Sequence, residues 1–245
     1  MWGASMAKYF FAKTQRSGST VTLDGETAHH LLHVLRMTPG ESLTLCDGAE
    51  TDCAAFITEA YPKKPQVVCE ITSHSPALTE PKTKITLYQG LPKGDKLEWI
   101  IQKCVELGVH RIVPVATSRS VARIKNDAKK ALRYQRIAQS AAEQSMRGII
   151  PKVSEAMTFD GALAQMDASA CTLVPYEGEQ TTTLKAALPQ AQNINLWIGP
   201  EGGFSQEEIQ ALTEAGAVAV TLGPRILRTE TAAIAAVAQT LCLTE

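Results

Sequence analysis

The chain has 245 residues, of which 44% are hydrophobic, and its formal net charge is −1. These values are typical of one or two globular domains with an apolar core. No apolar run is long enough to span a bilayer, and the first residues lack the basic and apolar regions of a secretory signal. We therefore expect neither a membrane span nor a secretory signal.

The cysteines are scattered, without a CxxC pair and without nearby histidines. They lie at Cys46, Cys53, Cys69, Cys104, Cys171 and Cys242. This pattern argues against a disulfide framework and against a zinc site, and it is typical of reduced, mostly buried cysteines. We expect a cytoplasmic protein that needs no metal.

Charge is unevenly distributed along the chain. Residues 1–80 have a net charge of −3, residues 81–152 of +10 and residues 153–245 of −8. A basic middle third favours a polyanionic partner such as RNA, because clustered lysine and arginine side chains bind phosphates. The alternative is a solvated helix face, and the segment from Lys125 to Arg136 has that appearance.

The first 75 residues predict a small β-rich unit. A helix is predicted over 26–37, a turn at Pro39-Gly40, and strands over 42–46, 54–60 and 66–72. Short strands at this spacing are typical of a small barrel or sandwich. The polar, proline-containing segment from Ser73 to Lys82 predicts the domain boundary.

From Lys84 onward, predicted strands alternate with predicted helices. The strands are 85–89, 111–116, 171–174, 194–198 and 217–222, and the helices are 94–107, 126–146, 205–215 and 230–243. Gly108 is expected to end the first helix, and Ser205 with Glu208 to form a capping box. Trp99 is expected in the core. This alternation predicts a parallel sheet with helices on both faces.

Two glycine-rich turns each follow a predicted strand near the end of the chain. The first reads IGPEGGFS over residues 198–205, and the second reads LGPRILR over residues 222–228. Glycines let the backbone approach a ligand, and the prolines make the turns rigid. Neither turn matches a phosphate-binding loop or GxGxxG, so nucleotide hydrolysis is disfavoured. The alternative is two ordinary strand-to-helix turns without a ligand.

The motifs IGPEGGFSQEE and LGPRILRTETAA resemble the signature of the RsmE family, bacterial 16S ribosomal RNA methyltransferases of the SPOUT superfamily. Further blocks resemble that family in the same order: HLLHVLRMTPG at 30–40, KGDKLEWIIQKCVELGV at 93–109, Arg119-Ser120, and AQSAAEQSMR at 138–147. The resemblance therefore extends over most of the chain.

This resemblance implies an α/β fold, with a SPOUT-type parallel sheet and C-terminal trefoil knot over residues 80–245. It implies a PUA-like, RNA-binding β-barrel domain over residues 1–75. It also implies S-adenosylmethionine (SAM) as methyl donor, a homodimer, and N3-methyluridine in 16S rRNA of the small ribosomal subunit as the product.

The family signature places a SAM pocket at the ends of three strands. By resemblance it is formed by Leu173, Val174, Pro175, Ile198, Gly199, Pro200, Glu201, Gly203, Leu222, Gly223, Leu227, Arg228 and Ala232. Apolar walls and backbone hydrogen bonds are what such a ligand requires.

Two residues after the second turn are candidates for catalysis. Arg228 could stabilise the uracil anion that forms when N3 loses its proton. Glu230 could orient Arg228 or take the proton. The alternative is a helix start, with Thr229 as N-cap and Glu230 in the first turn.

Six polar residues are candidates for binding RNA: Arg36, Lys93, Arg119, Arg123, Gln144 and Arg147. The alternative for each is a surface position without a partner. Aromatic residues make up only 5% of the chain, which argues against a stacking platform for long single strands. Recognition by RNA shape and one extruded base is expected instead.

Two other functions stay open at this point. A related knotted methyltransferase could act on a ribose 2′-oxygen of rRNA or tRNA, and nucleoside mass spectrometry would distinguish base from ribose methylation. A non-catalytic RNA-binding assembly factor would use the basic middle third, and its role would survive substitution of Arg228 or Gly203.

Overall fold

The computed structural model describes residues 8–121, 128–188 and 192–245. Within them the chain forms two compact units. The first is drawn from Met1–Glu80 and Ala142–Ile150, and the second from Pro81–Ala141 and Pro151–Glu245. The split after Glu80 falls inside the predicted boundary segment, whereas the assignment of Ala142–Ile150 to the first unit was not predicted.

The first unit contains a six-stranded sheet. Its strands are β1 (Lys8–Phe10), β2 (Arg16–Ser17), β3 (Thr20–Asp24), β4 (Ser42–Cys46), β5 (Thr51–Tyr61) and β6 (Gln66–Pro76). They lie in the order β1-β4-β5-β6-β3-β2; the β1–β4 pair is parallel and the others are antiparallel. The predicted strand 42–46 is confirmed, and the other two are longer than predicted.

The sheet packs on a short helical segment that closes its core. This segment is α1 (Gly25–His29), which continues through a wider, π-type turn over His30–Val34. Its Leu31 is fully buried with alternate residues of the strands, among them Leu23 and Ile57. Alternation of this kind fixes which face of each strand points into the core. The first three strands were not predicted: β1 and β2 are only three and two residues long, and the alternation of β3 was missed.

Hydrogen bonds explain why Ala142–Ile150 belongs to the first unit. The Gly148 carbonyl accepts a bond from the Glu50 amide at 3.1 Å and another from the Cys46 thiol at 3.3 Å. A Cβ at Gly148 would lie 2.5 Å from the Cβ of Ala77, so only glycine fits this position.

Arg147, expected as an RNA contact, forms a buried ion pair instead. Its Nη2 donates to Glu80 Oε2 at 2.6 Å and its Nε donates to Glu80 Oε1 at 2.9 Å, with side-chain exposures of 2% and 9%. Burial raises the pKa of Glu80, but hydrogen bonds from Arg147 and the Gly148 amide outweigh it, so the net pKa is lowered.

Glu80→Gln is expected to lower the free energy of unfolding by about 3–5 kcal/mol at pH 7, since it leaves the Arg147 charge buried without its counterion. Because the folded-state pKa of Glu80 is lowered, the stabilisation is present above the ordinary glutamate pKa and is lost as pH falls through the folded value. Denaturant titration from pH 7 to pH 3 measures both effects. Glu98→Gln, which breaks the more exposed pair with Arg133, is the control and should change stability by less than about 1 kcal/mol. Equal effects of the two substitutions would contradict the prediction.

The second unit contains a parallel sheet, which confirms the α/β class. Its strands are β7 (Lys84–Gly90), β8 (Arg111–Ala116), β9 (Lys152–Val153), β10 (Met157–Thr158), β11 (Cys171–Pro175), β12 (Asn193–Ile198) and β13 (Val218–Val220). The order is β10-β8-β7-β12-β11-β13, with β9 paired to β8, and each pairing described in this sheet is parallel.

The described helices of the second unit follow the prediction for the longer elements. They are α2 (Lys96–Leu107), α3 (Ala128–Gln144, whose last residues belong to the first unit), α4 (Phe159–Ala164), α5 (Leu184–Ala187), α6 (Gln206–Glu214) and α7 (Thr229–Thr244). Gly108 ends α2 with φ of 119°, and Ser205 and Glu208 form the capping box of α6, both as predicted. The short elements β9, β10, α4 and α5 were not predicted.

The prediction that Trp99 lies in the core is wrong. Its side chain is 52% exposed, because α2 turns its buried face through Leu97, Ile101 and Val105 and leaves Trp99 outside. The core on one side of the sheet is instead built on Trp197 of β12. Its ring stacks on that of Tyr88 of β7 at 4.4 Å between centroids.

The last helix packs closely on the sheet, as its small residues predict. Ala233 and Ala236 of α7 are fully buried, and α7 lies against α2, β7 and β12. Small side chains allow this close approach. Among the described helices none is long and apolar enough to cross a membrane. The six cysteines are free, and four of them are buried.

Candidate active site

The two central strands of the parallel sheet mark a point where the chain changes direction. From β7 it continues to β8 on one side, whereas from β12 it continues to β13 on the other side, beyond β11. Connections that diverge in this way leave a crevice at the carboxyl ends of the two strands. In this protein those ends are Gly90 and Ile198, and the first glycine turn begins directly after Ile198.

The first glycine turn closes tightly on itself. The Gly203 amide donates to the Pro200 carbonyl at 3.0 Å, and Gly203 has φ of 66°, which favours glycine. A Cβ on Gly199 would lie 3.1 Å from the Gly203 backbone. The glycines are therefore required by the shape of the turn itself.

Gly90, at the end of β7, packs directly on this turn. A Cβ at Gly90 would lie 2.5 Å from Cδ and 2.6 Å from N of Pro200. The end of β7 and the first turn are thus in backbone contact. The sequence prediction did not include Gly90, and a glycine directly after the predicted strand 85–89 was the only signal for it.

The second glycine turn is open on one side. Gly223 has φ of 111°, its amide donates to Thr221 Oγ1 at 3.1 Å, and a Cβ there would meet nothing within 4 Å. Nearby, the Thr221 amide donates to the Thr182 carbonyl at 2.8 Å, so the segments that follow β11 and β13 contact each other. The three strand ends therefore meet at one edge of the sheet.

A buried hydrogen-bond network joins the first turn to the start of α7. Thr229 Oγ1 donates to the Gly199 carbonyl at 2.6 Å and accepts from Gln89 Nε2 at 2.9 Å. Gln89 is fully buried, and its Nε2 also donates to the Gly90 carbonyl. Thr229 is the first residue of α7 and Arg228 is its N-cap, so the alternative of Thr229 as N-cap is wrong.

Three charged side chains form a second connection beside this network. Lys96 Nζ lies 2.7 Å from Glu201 Oε1 and 3.6 Å from Glu230 Oε2. Burial raises the pKa of Glu201, but hydrogen bonds from Lys96 and the Lys93 amide outweigh it, and the net pKa is lowered. The pKa of Lys96 is raised, chiefly by its hydrogen bond to Glu201. Glu201 and Lys96 therefore carry their charges at neutral pH.

Arg228 is exposed at the N-cap of α7, between the second turn and Thr229. In the part of the chain that the structure describes, its guanidinium makes no ion pair, and the ionic partner of Glu230 is Lys96. The contacts therefore give no support to Glu230 as the group that orients Arg228. The guanidinium is available to an anionic ligand.

The loop after β8 reaches the first turn from another side. Arg119 Nη1 donates to the Gly202 carbonyl at 3.0 Å. Glu208 of the capping box also accepts from the Ser118 amide at 2.7 Å, so the buried Glu208 carboxylate connects this loop to α6. Sequence reasoning identified the cap but not its second partner, because Ser118 is ninety residues away.

Comparison with known proteins identifies the family. A family model described as an RNA methyltransferase domain matches residues 79–241, and one described as an RNA methyltransferase PUA domain matches residues 23–71. A ribosomal RNA small subunit methyltransferase E from Bacillus subtilis is 37% identical, and the match covers 93% of each chain. The chain belongs to the small subunit methyltransferase E family.

Solved structures agree with this family membership. A small subunit methyltransferase E from Neisseria gonorrhoeae, bound to S-adenosyl methionine, is 35% identical, with a TM-score of 0.88 and 98% of each chain covered. A putative methyltransferase from Legionella pneumophila, in complex with the cofactor SAM, is 33% identical with a TM-score of 0.86, again over 98% of each chain.

The structure brings together the residues that the methyltransferase E signature suggests for a donor pocket. They occupy the end of β11, the end of β12 with the first turn, the second turn, and the first turns of α7. Leu173, Val174 and Ile198 are buried, whereas Gly223 and Arg228 are exposed. Among the described residues of this set, buried apolar side chains thus lie near the exposed backbone of Gly223 and the exposed guanidinium of Arg228, which makes no ion pair.

The residues suggested for RNA binding differ in their exposure. Arg36, Lys93, Arg119 and Gln144 are exposed. Arg36 has φ of 57°, a backbone conformation that is rare for residues other than glycine and asparagine. Arg123 lies outside the described residues, and the buried Arg147 pairs with Glu80. Arg147 is therefore part of the buried interior of the first unit.

Proposed function

We propose that this protein is a SAM-dependent methyltransferase that methylates N3 of a uridine in 16S ribosomal RNA of the small subunit. Family membership and the names of its relatives support the reaction class and the RNA. The observation that carries the proposal is the meeting of two glycine turns at the switch point of the sheet, joined by Thr229.

The residues at this edge fit the methyl donor. The backbone at Gly223 borders open space, Gly203 has a conformation that brings backbone close to a ligand, and Leu173, Val174 and Ile198 supply an apolar wall. When bound, SAM supplies a methyl group on a positively charged sulfur. We assign its binding to the residues of the family signature: Leu173, Val174, Pro175, Ile198, Gly199, Pro200, Glu201, Gly203, Leu222, Gly223, Leu227, Arg228 and Ala232.

Arg228 and Glu230 would act on the uridine. Loss of the N3 proton leaves negative charge on the uracil ring, and the unpaired guanidinium of Arg228 would stabilise that charge. Glu230 Oε2 is buried and accepts no hydrogen bond from the described residues, so it is available to take the proton. Its ion pair with Lys96 holds this carboxylate in place.

Cationic side chains would hold the RNA. Arg119 contacts the first turn through its bond to the Gly202 carbonyl. Lys93 precedes α2, and its amide donates to Glu201. Arg36 and Gln144 offer further exposed contacts in the first unit. Such groups position a nucleic acid through its phosphates and contribute little to sequence recognition.

The knot, the barrel and the homodimer belong to the same proposal. Contacts among the segments after β11, β12 and β13 support a knotted C-terminal region. The Tyr176 amide donates to the Val220 carbonyl, and Gly203 lies beside the Glu177 carboxylate. The six-stranded sheet of the first unit supports a PUA-like barrel. A homodimer would be tested by light scattering, and a cytoplasmic location by fractionation.

Calorimetric titration with SAM tests the donor site. We expect the wild type to bind SAM and Gly203→Trp to lose binding, because an indole at a positive φ would fill the first turn and displace Glu177. Gly216→Trp is the matched control, since Gly216 also has a positive φ, of 89°, but lies at the end of α6 with nothing nearby. A wild type without SAM binding would overturn the proposal, and so would unchanged binding by Gly203→Trp.

Nucleoside mass spectrometry tests the methylated atom. Small subunits from cells lacking the activity would be incubated with the enzyme and SAM, and their RNA digested to nucleosides. We expect N3-methyluridine to appear. A 2′-O-methylated nucleoside would instead indicate a related ribose methyltransferase, and no new methylation would favour an RNA-binding assembly factor.

A further inference from the structure

We propose that Lys96, the first residue of α2, is a positioning residue for methyl transfer, which holds Glu201 of the first glycine turn and Glu230 of α7 in one arrangement. This inference rests on the proposed function. Lys96 lies outside both glycine turns and is not among the residues that we assign to SAM binding.

Three segments of the second unit meet at the Lys96 ammonium group. Its Nζ lies 2.7 Å from Glu201 Oε1 and 3.6 Å from Glu230 Oε2. Glu201 also accepts hydrogen bonds from the Lys93 amide, at 3.2 and 3.3 Å. The segment between β7 and α2, the first turn, and the start of α7 are therefore joined through one cation and two carboxylates.

Two neighbouring carboxylates require this cation. Both lie within 4 Å of the same nitrogen atom, so without it their negative charges would repel each other. Glu201 lies in the first turn and Glu230 follows the second, so this cation joins the two turns. Their separation would move Arg228, which is two residues before Glu230, relative to the first turn.

Glu230 offers one further reason for a role beyond stability. Its Oε2 atom is buried and lacks a hydrogen-bond donor among the described residues, while Lys96 faces it at an ionic distance rather than a bonding distance. A buried carboxylate oxygen without a donor is costly unless a ligand satisfies it. The Lys96 ammonium group faces this oxygen at 3.6 Å and so fixes the orientation of the carboxylate.

The same helix provides a matched control. Lys103 of α2 also pairs with a glutamate, Glu106, at 2.8 Å, and its side chain is 28% exposed compared with 34% for Lys96. Its pair lies within the helix and does not reach either glycine turn. If the Lys96 ion pair contributed only to stability, substitution of either lysine would leave kcat of the folded enzyme unchanged.

The test measures kcat, KM for SAM and thermal unfolding for Lys96→Met, Lys96→Arg and Lys103→Met on small-subunit RNA. We expect Lys96→Met to lower kcat about tenfold or more, with a smaller change in KM, because the reacting groups lose alignment. Lys96→Arg should recover most of kcat, and Lys103→Met should stay within about twofold of the wild type. Lys96→Met should unfold at a lower temperature than Lys103→Met, because it leaves Glu201 and Glu230 to repel each other, so kcat is measured at a temperature where both variants are fully folded.

A double variant shows whether Lys96 acts through Glu230. Adding Lys96→Met to Glu230→Gln should lower kcat less than the same change does in the wild type, since the group that it positions is already altered. Equal losses in both backgrounds, or wild-type kcat in Lys96→Met, would overturn the inference while the wild type remained active. If the wild type neither binds SAM nor methylates RNA, the proposed function fails and the inference fails with it.

Discussion

Arg228→Ala is expected to lower the rate of uridine methylation by about 10²–10³-fold at saturating SAM. The estimate is the typical loss when one group that stabilises developing negative charge is removed. Arg228 is the exposed N-cap of α7, and its guanidinium makes no ion pair with the described residues.

Single-turnover methylation of small-subunit RNA measures this effect, with SAM binding measured separately by calorimetry. Arg225→Ala is the control, because Arg225 is an exposed arginine in the same turn, three positions earlier. It should change the rate by much less. A rate for Arg228→Ala equal to that of Arg225→Ala would show that Arg228 does not act on the uridine, even if SAM binding were weakened.

The sequence predicted the parts of the site that depend on local patterns. Glycine-proline pairs after apolar strands located both turns, and the alternation of strands with helices predicted the parallel sheet. The capping box at Ser205 and Glu208 was predicted because both partners lie within one helical turn. The turns and the cap are each encoded within about ten consecutive residues.

The connections between these parts could not be predicted from local patterns. Gln89 and Thr229 are 140 residues apart, and Lys96 and Glu201 are 105 residues apart, so their contacts depend on the order of strands in the sheet. Arg147 was expected to contact RNA because it closes the basic helix, yet its partner Glu80 lies 67 residues away. Trp99 was expected in the core of its helix, although its position on α2 faces outward.

The backbone contact at Gly90 leads to the second large effect. Gly90→Ala is expected to abolish SAM binding, although it adds only one methyl group at a strand end. The new Cβ would lie 2.5 and 2.6 Å from Cδ and N of Pro200, which is closer than such atoms ever approach. Pro200 is held by the Gly203 amide, and Gly199 is held by Thr229, so the first turn has no flexible side chain that could yield. The backbone of the turn itself must move, and the donor site moves with it.

Calorimetric titration with SAM, together with a thermal unfolding curve, tests this prediction. Gly161→Ala is the matched control: its Cβ would lie 3.0 Å from Thr158 Oγ1, so the added methyl group meets only the side-chain cap of α4, away from the first turn. It should bind SAM normally. A Gly90→Ala protein that melts cooperatively but does not bind SAM would show that the end of β7 shapes the donor site through the first turn. Normal SAM binding by Gly90→Ala would mean that the first turn can shift without loss of the site, and Gly199 to Gly203 would then have to bind the donor in a more adaptable way than their closed hydrogen-bonded geometry implies.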